Sequence, residues 1–460
     1  MPLRLTCYGG AESVTGSNFM VQGEKGTLLI DCGIEQGADF SVKEMYAPFP
    51  YDVPAVDAVI ITHAHLDHVG RLAKLSKEGF RGKVYMTPPT KELTRLLLED
   101  SVGILMDEAR KHNLPNLYEE KDVADIMSRV ETVEYHQEFE AAPGLSVVYR
   151  NTGHILGSGS VRIAAADGTS IALTGDIGNS PNPYLPDPEA IPDADVILME
   201  SVYGDRTHGG GDRVQELRDA IKRAIERGGA ILIPAFSIER SQLMLYELGH
   251  MMAAGEIPEV PVYLDSPLAI NVTEVYEKYG PEYFKQAAQE ELHRTHELFK
   301  FPFLHETPSR GESDAIREVP NPKIIMAGAG MSHGGRIGRH EGKYLPDADT
   351  TLFIVGYQAP GSPGRMLQEG APSVRLDGRE VRVRAKIETF AGWSAHADRD
   401  GLLAFAESCL PRTHTFFTAL GEPAAARFLA QRIHDYLGRK AIVPTTGDTW
   451  EITKQGVKKI

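Results

Sequence analysis

A dense group of potential metal ligands directly follows one apolar segment of the chain. Residues 57–62 have the length and nearly continuous apolarity of a β-strand that is buried on both faces. The chain then places His63, His65, Asp67 and His68 within six residues. Imidazole and carboxylate groups are good Zn²⁺ ligands, and a loop at a strand end can turn several of them towards one point. The pattern predicts a metal site there, because 16 histidines in 460 residues make a chance cluster improbable.

Strand-like and helix-like segments alternate along the rest of the chain. Short apolar runs rich in Val and Ile have strand length, and segments between several of them have helical spacing of apolar residues. The N-terminal part predicts helices packed on sheets. From residue 212 onwards, regular strand–helix alternation predicts a separate parallel-sheet domain. The predicted strands are 26–31, 57–62, 170–174, 230–234, 260–265, 322–327 and 351–355, and the predicted helices are 90–112, 122–130, 214–227 and 242–252.

Length and composition narrow the class of protein. A chain of 460 residues is too long for one compact core and fits two sizeable domains. No run approaches about 18 uninterrupted apolar residues, so no membrane span is expected. Three cysteines without a C-x-x-C pair suit a reducing compartment, and we expect a cytoplasmic protein. The net charge of −16 disfavours a broad nucleic-acid-binding face, although a basic cleft or bound metal ions can offset it locally.

Two further segments each carry a single ligand candidate. His154 lies in a glycine-flanked loop at 151–158, and Asp176 follows the apolar run 170–174. Together with Asp31 and the histidine segment, they resemble the successive motifs of the metallo-β-lactamase superfamily. The resemblance implies two bridged zinc ions, with Asp31 supporting the histidine loop from behind the ligands. The implied ligands are His63, His65 and His154 for the first zinc, Asp67 and His68 for the second, and Asp176 for both.

The middle of the chain distinguishes among the branches of that superfamily, whose members hydrolyse several kinds of substrate. Six segments, in the right order, resemble the β-CASP nucleases, which process RNA and are similar to the cleavage subunit of the mRNA 3′-end machinery. The implied fold is α/β: a metallo-β-lactamase αββα sandwich (1–204 and 386–460) and an inserted β-CASP domain (205–385) with a parallel sheet flanked by helices. The resemblance also implies an active site in the cleft between these domains. The six segments are 199–206, 233–242, 262–269, 330–336, 356–358 and 390–398.

The same resemblance implies zinc-dependent hydrolysis of RNA phosphodiesters. His396 is expected to protonate the leaving oxygen while Glu200 orients the imidazole and keeps it charged, and Asp67 is counted with them as a catalytic residue. Arginines beside Gly or Ser in loops have the composition that binds phosphates through guanidinium and backbone N–H groups. We expect single-stranded RNA as the partner, and a homodimer is left open. The candidate phosphate contacts are Arg240, Ser332, Gly335, Arg336 and Arg365.

One position departs from the RNA-cleaving members of the family. They carry a further zinc-ligating histidine in a strand-end motif, and the matching stretch 415–422 has Leu420 at that place. His414 lies six residues upstream, roughly 20 Å along a strand, and cannot replace it. We therefore predict that the second zinc ion binds more weakly than the first. DNA-processing members have an aliphatic residue there, so single-stranded DNA is an alternative substrate.

Two other function classes stay open from the sequence. A weakly active nucleic-acid-binding subunit would explain the lost ligand, but six of the seven expected ligand positions are present. A hydrolase of small esters or thioesters would share the zinc motif, but it has no evident use for the β-CASP segments. Cleavage of RNA is the favoured interpretation.

Overall fold

The computed structural model describes residues 2–35 and 45–460, which form two compact units. The first unit consists of the described residues up to Thr207 together with 396–460, and the second consists of 208–395. None of the described helices is both long enough and apolar enough to pass through a membrane. The three cysteines, Cys7, Cys32 and Cys409, are buried free thiols.

Two β-sheets form the centre of the first unit. In spatial order, the eight-stranded sheet contains β23 (Gly456–Lys459), β22 (Thr449–Thr453), β1 (Leu3–Gly9), β2 (Asn18–Gln22), β3 (Thr27–Ile30), β4 (Ala58–Ile60), β5 (Lys83–Met86) and β6 (Val130–Thr132). The seven-stranded sheet contains β21 (Lys440–Ile442), β20 (Thr415–Ala419), β11 (Val196–Glu200), β10 (Ser170–Leu173), β9 (Gly159–Ala165), β8 (Leu145–Asn151) and β7 (Phe139–Ala142).

Apolar side chains fill three layers of the first unit. Leu5 and Ile60 of the eight-stranded sheet share one buried cluster with Leu173 of the seven-stranded sheet, so the two sheets pack face to face. The outer face of each sheet buries a further cluster against helices. This helix–sheet–sheet–helix order confirms the predicted αββα sandwich. The helices are α1 (Leu66–Val69), α2 (Leu72–Lys77), α3 (Pro88–His112), α4 (Glu120–Ser128), α12 (Arg399–Ser408) and α13 (Pro423–Leu437).

The second unit is built on one six-stranded sheet whose paired strands are all parallel. Its spatial order is β14 (Leu304–Glu306), β13 (Val262–Leu264), β15 (Lys323–Ala327), β12 (Ala230–Pro234), β16 (Thr351–Ile354) and β19 (Lys386–Thr389). A separate antiparallel hairpin joins β17 (Ser373–Leu376) to β18 (Arg379–Arg382). The predicted inserted parallel-sheet domain is therefore confirmed. Its helices are α5 (Arg213–Arg227), α6 (Arg240–Ala253), α7 (Pro267–Tyr283), α8 (Gln286–Thr295), α9 (Arg310–Ala315), α10 (Gly335–Tyr344) and α11 (Pro363–Gln368).

The predicted elements differ from the observed ones mainly at their ends. The strand predicted over 260–265 shortens to β13, since Pro261 has no N–H to donate to a neighbouring strand. The helix predicted from residue 90 begins two residues earlier, because the Thr87 hydroxyl caps its first turn by accepting from the N–H of Thr90. Such local capping is hard to locate from apolar spacing alone.

Two loops of the first unit approach so closely that only glycine fits at their contact. The N–H of Ser17 donates to the carbonyl oxygen of Asp67 (2.9 Å), and that of Cys32 donates to the carbonyl oxygen of His68 (2.7 Å). A Cβ atom on Gly33 would overlap the carbonyl oxygen of Asp67 and lie 2.8 Å from the N–H nitrogen of His68. The loop that follows β3, together with Ser17 just before β2, therefore fixes the backbone of the histidine segment.

This close approach predicts that Gly33→Ala destabilises the fold. The methyl group must push the backbone at 67–68 away, and overpacking of this kind costs about 1–3 kcal/mol. We expect a lower thermal unfolding midpoint and a lower metal content. The matched control is Gly103→Ala, in an open exposed turn of α3, where the same change should raise stability by about 0.5–1 kcal/mol. Equal midpoints for the two variants would contradict the close contact at Gly33.

Candidate metal centre

The ends of several strands in the first unit deliver polar side chains to one place. The histidine segment follows β4, and His154 lies in the loop after β8. Asp176 follows β10, and Glu200 is the last residue of β11. Since β10 and β11 are neighbouring parallel strands, their carboxyl ends lie at the same edge of the sheet. The fold thus gathers residues that are more than 100 positions apart in sequence.

Four side chains form the first cluster of potential ligands, and three of them are buried. Nδ1 of His65 lies 3.1 Å from Nε2 of His63 and 3.2 Å from Nε2 of His154. Oδ2 of Asp176 lies 3.4 Å from each of those two Nε2 atoms. Ligand atoms of a tetrahedral zinc ion, each about 2.0–2.1 Å from the metal, are roughly 3.3–3.4 Å from one another. The spacing of this cluster fits a metal ion of that kind.

Hydrogen bonds behind the ligands set the protonation of two imidazoles. The Thr62 hydroxyl donates to Asp31 (3.0–3.1 Å) and therefore accepts from Nδ1–H of His63 at 3.1 Å. Nδ1–H of His68 donates to Oδ2 of Asp31 at 2.7 Å. Both arrangements leave the lone pair on Nε2. Supporting carboxylates of this type commonly fix the tautomer of metal-binding histidines.

His68 and Asp67 form a second group beside the first. Nε2 of His68 is buried and has no hydrogen-bond partner among residues 2–35 and 45–460, although Oδ1 of Asp176 is 3.5 Å away. Oδ2 of Asp67 lies 4.0 Å from the same nitrogen. A buried nitrogen without a partner is costly unless something binds it. The two oxygens of Asp176 thus face the two groups of ligands, one each.

His396 and Glu200 meet at the same sheet edge. The N–H groups of Ile177 (2.5 Å) and Val202 (3.4 Å) donate to the Glu200 carboxylate, which holds it in place. Nδ1 of His396 lies 3.3 Å from Oε1 of Glu200 and 3.9 Å from Oδ2 of Asp176. Backbone pairing between Gly178 and His396 positions the imidazole. Glu200 is fully buried whereas the His396 side chain is 17% exposed, so the imidazole is the accessible member of the pair.

Burial and the neighbouring charges shift the titration of these groups. Burial lowers the pKa of His396, but the carboxylates of Glu200 and Asp176 outweigh it and raise that pKa to about 9. Burial raises the pKa of Asp67 to about 6. Burial, together with neighbouring imidazoles, lowers the pKa of His63 well below its usual value. His396 is therefore a proton donor at neutral pH, while His63 is neutral and can bind a metal ion.

The candidate phosphate contacts all belong to the second unit, where the side chains of Ser332, Arg336 and Arg365 already have partners. The Arg336 guanidinium donates to Asp265 (2.7 Å) and to the carbonyl oxygens of Thr307 (2.5 Å) and Pro308 (2.8 Å). The remaining candidates lie on loop ends or first helical turns. Ser332 donates to Glu341 (2.6 Å), Arg365 donates to Glu369 (2.6 Å), Arg240 is buried, and Gly335 begins α10 with a φ of +66°.

Sequence reasoning gave no role to two hydroxyl groups that organise the centre. Thr62 connects Asp31 with His63, as described above. Ser158 accepts from the N–H groups of His154 (3.1 Å) and Ile155 (3.2 Å) and so shapes the loop that carries His154. Both residues lie within the quoted motifs, but a hydroxyl beside a histidine is too common to identify a role without coordinates.

Comparison with known proteins agrees with this geometry. Family models match residues 14–235 (metallo-beta-lactamase superfamily), 241–367 (Beta-Casp domain) and 380–444 (Zn-dependent metallo-hydrolase RNA specificity domain). The chain is 37% identical to Ribonuclease TTHA0252 of Thermus thermophilus over 87% of this chain and 90% of that one. It is 32% identical to the transcription termination factor FttA of Methanosarcina mazei, over 95% and 69% of the two chains. A solved protein of unknown function from Enterococcus faecalis shares the fold, with a TM-score of 0.54, 12% identity and coverage of 98% and 99%.

The αββα sandwich and its His/Asp cluster define the class of the protein as a metal-dependent hydrolase of the metallo-β-lactamase superfamily. Within that superfamily the chain belongs to the β-CASP family.

The Asp31 contacts predict that Asp31→Asn weakens metal binding. The amide is a weaker acceptor for Nδ1–H of His68 and cannot keep both imidazoles in the tautomer described above, and comparable losses behind metal ligands cost about 10- to 100-fold in affinity. Zinc titration of the variant should give a correspondingly higher Kd. Asp57→Asn is the control, because that exposed carboxylate only accepts from the N–H of Thr27 (2.7 Å). A variant at Asp31 that titrates like the control would rule out this supporting role.

Proposed function

We propose that this protein is a zinc-dependent ribonuclease that hydrolyses phosphodiesters of single-stranded RNA. The observation that carries the proposal is the meeting of a His/Asp ligand cluster with the His396–Glu200 pair at one sheet edge. The relative from Thermus thermophilus, matched over 90% of its length, is named a ribonuclease. The family model over 380–444 is described as an RNA specificity domain. We also propose an inserted domain between two parts of the sandwich domain: the sequence predicts its boundaries at 204/205 and 385/386, and the compact units divide at 207/208 and 395/396. A cytoplasmic location is proposed as well, and it suits three buried free thiols.

We infer two zinc ions of unequal affinity. His63, His65, His154 and Asp176 supply four donor atoms for the first ion, whose spacing suits a tetrahedral ion. Asp67, His68 and Asp176 supply only three for the second. Leu420 stands where related nucleases have a further histidine, and its side chain is buried in the apolar cluster between the sheets. The second ion is therefore expected to bind more weakly.

The proposed reaction divides its work between the metal ions and the His–Glu pair. Bound zinc ions would lower the pKa of water and offset the charge of the phosphate. The protonated His396 donates its proton to the leaving oxygen, which removes the need for a free alkoxide. Glu200 orients His396 and keeps it charged, and the Ile177 N–H holds Glu200 in turn. The substrate contacts proposed in the second unit are Arg240, Ser332, Gly335, Arg336 and Arg365.

Cleavage assays separate the roles of His65 and His396. His65→Ala should lose zinc and cleave neither RNA nor DNA measurably. His396→Asn should keep its zinc but cleave RNA about 10²- to 10⁴-fold more slowly, since only proton transfer is lost. The measurements are zinc per chain and cleavage of labelled single-stranded RNA and DNA. His112→Ala, at the exposed end of α3, is the control and should match the intact protein.

The outcome also distinguishes the alternatives. Faster cleavage of DNA than of RNA would identify single-stranded DNA as the preferred substrate, which is the alternative suggested by Leu420. Equal residual cleavage by His65→Ala and the intact protein would reveal a contaminant. A zinc-loaded protein that cleaves neither polymer would overturn the proposal in favour of a binding subunit. The sequence leaves a homodimer open, and light scattering would measure the oligomeric state.

The metal stoichiometry tests the inferred role of Leu420. Zinc titration of the intact protein should resolve one tight site and one weaker site. Leu420→His should tighten the second site, while Leu420→Asn, which adds a polar group of similar size without a good ligand, should not. Two equally tight sites in the intact protein would contradict the inequality, whatever the variants do.

A further inference from the structure

The hairpin β17–β18 of the second unit presents a row of arginines to solvent. Val374, Leu376 and Val381 point into the apolar core of that unit. Since side chains alternate between the two faces of a strand, the residues between them point outwards. The outward row is fully polar. Its exposed arginines are Arg375, Arg382 and Arg384, with Arg379 exposed at the turn.

These four arginines have neither an ion pair nor a side-chain hydrogen bond with any residue of 2–35 and 45–460. The nearest acid along the row, Glu380, lies opposite Arg375 but is bonded by the hydroxyl of Ser373 at 2.8 Å. Elsewhere in the same unit, Arg223 lies 3.2 Å from a carboxylate and Arg365 lies 2.6 Å from one. The hairpin row is therefore a group of cations without an ion pair in the described part of the chain.

The charge of the hairpin opposes that of the whole chain. The hairpin itself (373–382) contains three Arg against one Asp and one Glu, a net charge of 3 − 2 = +1, and Arg384 just beyond it gives +2 for 373–384, whereas the chain carries −16. The four arginines between positions 375 and 384 repel one another, which lowers the stability of the folded unit. A polyanion would relieve that repulsion.

The turn of the hairpin lies beside the loop proposed to contact phosphates. Asp377, in the turn of the hairpin, lies close to Gly334 and Gly338. A Cβ atom placed on Gly334 would be 3.9 Å from one carboxylate oxygen of Asp377, and a Cβ atom placed on Gly338 would be 3.5 Å from the other. Gly334 immediately precedes α10, and Ser332 and Gly335 lie within two residues of it. The turn between the two strands of the hairpin therefore lies next to that loop.

We propose that the hairpin binds the phosphodiester backbone of single-stranded RNA, away from the phosphate that reacts. The inference rests on the proposed ribonuclease function and adds residues that hold substrate to it. Guanidinium groups bind phosphate oxygens in bidentate fashion, and several in a row suit the repeating charge of a polynucleotide. Contacts to the backbone carry no sequence information, so the hairpin contributes affinity without sequence preference.

The test compares two triple variants that remove the same charge from the same unit. The hairpin variant is Arg375→Gln, Arg382→Gln and Arg384→Gln. The control is Lys222→Gln, Arg227→Gln and Arg294→Gln, three exposed cations on α5 and α8 that also have no ion pair in the described residues. Both sets are on the surface, and a cooperative thermal unfolding transition with a midpoint no lower than that of the intact protein verifies that each variant folds.

Binding of a fluorescent single-stranded RNA is measured by anisotropy over a range of salt concentrations, with every protein carrying His65→Ala to prevent cleavage. The slope of log K against log salt should fall by roughly 2 in the hairpin variant, about 0.7 for each of the three lost phosphate contacts. If the affinities converge near roughly 1 M salt, the hairpin variant then binds about 100-fold more weakly at roughly 0.1 M salt. With His65 intact, its KM for long RNA should rise while hydrolysis of a small phosphodiester is unchanged. The control should alter none of these values.

Identical binding and salt slopes for the hairpin and control variants would overturn the proposal. That result together with normal RNA cleavage would leave the ribonuclease function standing. The converse outcome is an intact protein that binds RNA through the hairpin and cleaves none. That result would support the hairpin as a binding site and contradict the proposed ribonuclease function.

Discussion

The Asp31 carboxylate is the group on which the histidine segment and its ligands depend. It is buried where β3 ends, and it accepts hydrogen bonds from Ser17 (2.9 Å), from the N–H of Thr62 (2.9 Å) and from His68 (2.7 Å). A buried carboxylate is tolerated only when donors surround it in this way. Through Thr62 it reaches His63, and through His68 it reaches the second group of ligands. One carboxylate thus orients imidazoles in both halves of the centre.

That shared support explains why a single lost ligand need not dismantle the site. The position of the missing histidine is held by Leu420, whose N–H donates to the carbonyl oxygen of Gly10 (2.6 Å) and whose side chain packs at Gly10 and Phe19. The apolar contact replaces a metal bond with burial, so stability need not fall. The scaffold around Asp31 is unaffected. We therefore expect the loss to appear as unequal metal affinities and not as a disordered centre.

The sequence predicted the sandwich, the inserted domain and the histidine segment because their signals are local. Strand length, apolar spacing and four ligands in six residues can all be recognised without coordinates. The groups that a guanidinium contacts can be far from it in the sequence, so they cannot be recognised in the same way. Arg336 has the composition of a phosphate contact, yet its guanidinium is bonded to Asp265 and to two carbonyl oxygens. The sequence does not identify the exposed Arg375 and Arg382 as phosphate contacts, because they lie in strands and not beside Gly or Ser in loops.

The chain has a net charge of −16, yet one hairpin carries a row of arginines. This contrast affects where a polyanionic substrate can bind. At an ionic strength of 0.1 M, charges more than about 10 Å apart are largely screened from each other. A bound strand therefore responds to the charges it touches and not to the total. Acidic surface elsewhere repels the strand and confines it to the few basic places. An acidic chain whose hairpin carries arginines without ion pairs is thereby suited to bind RNA at the hairpin and not over the rest of its surface.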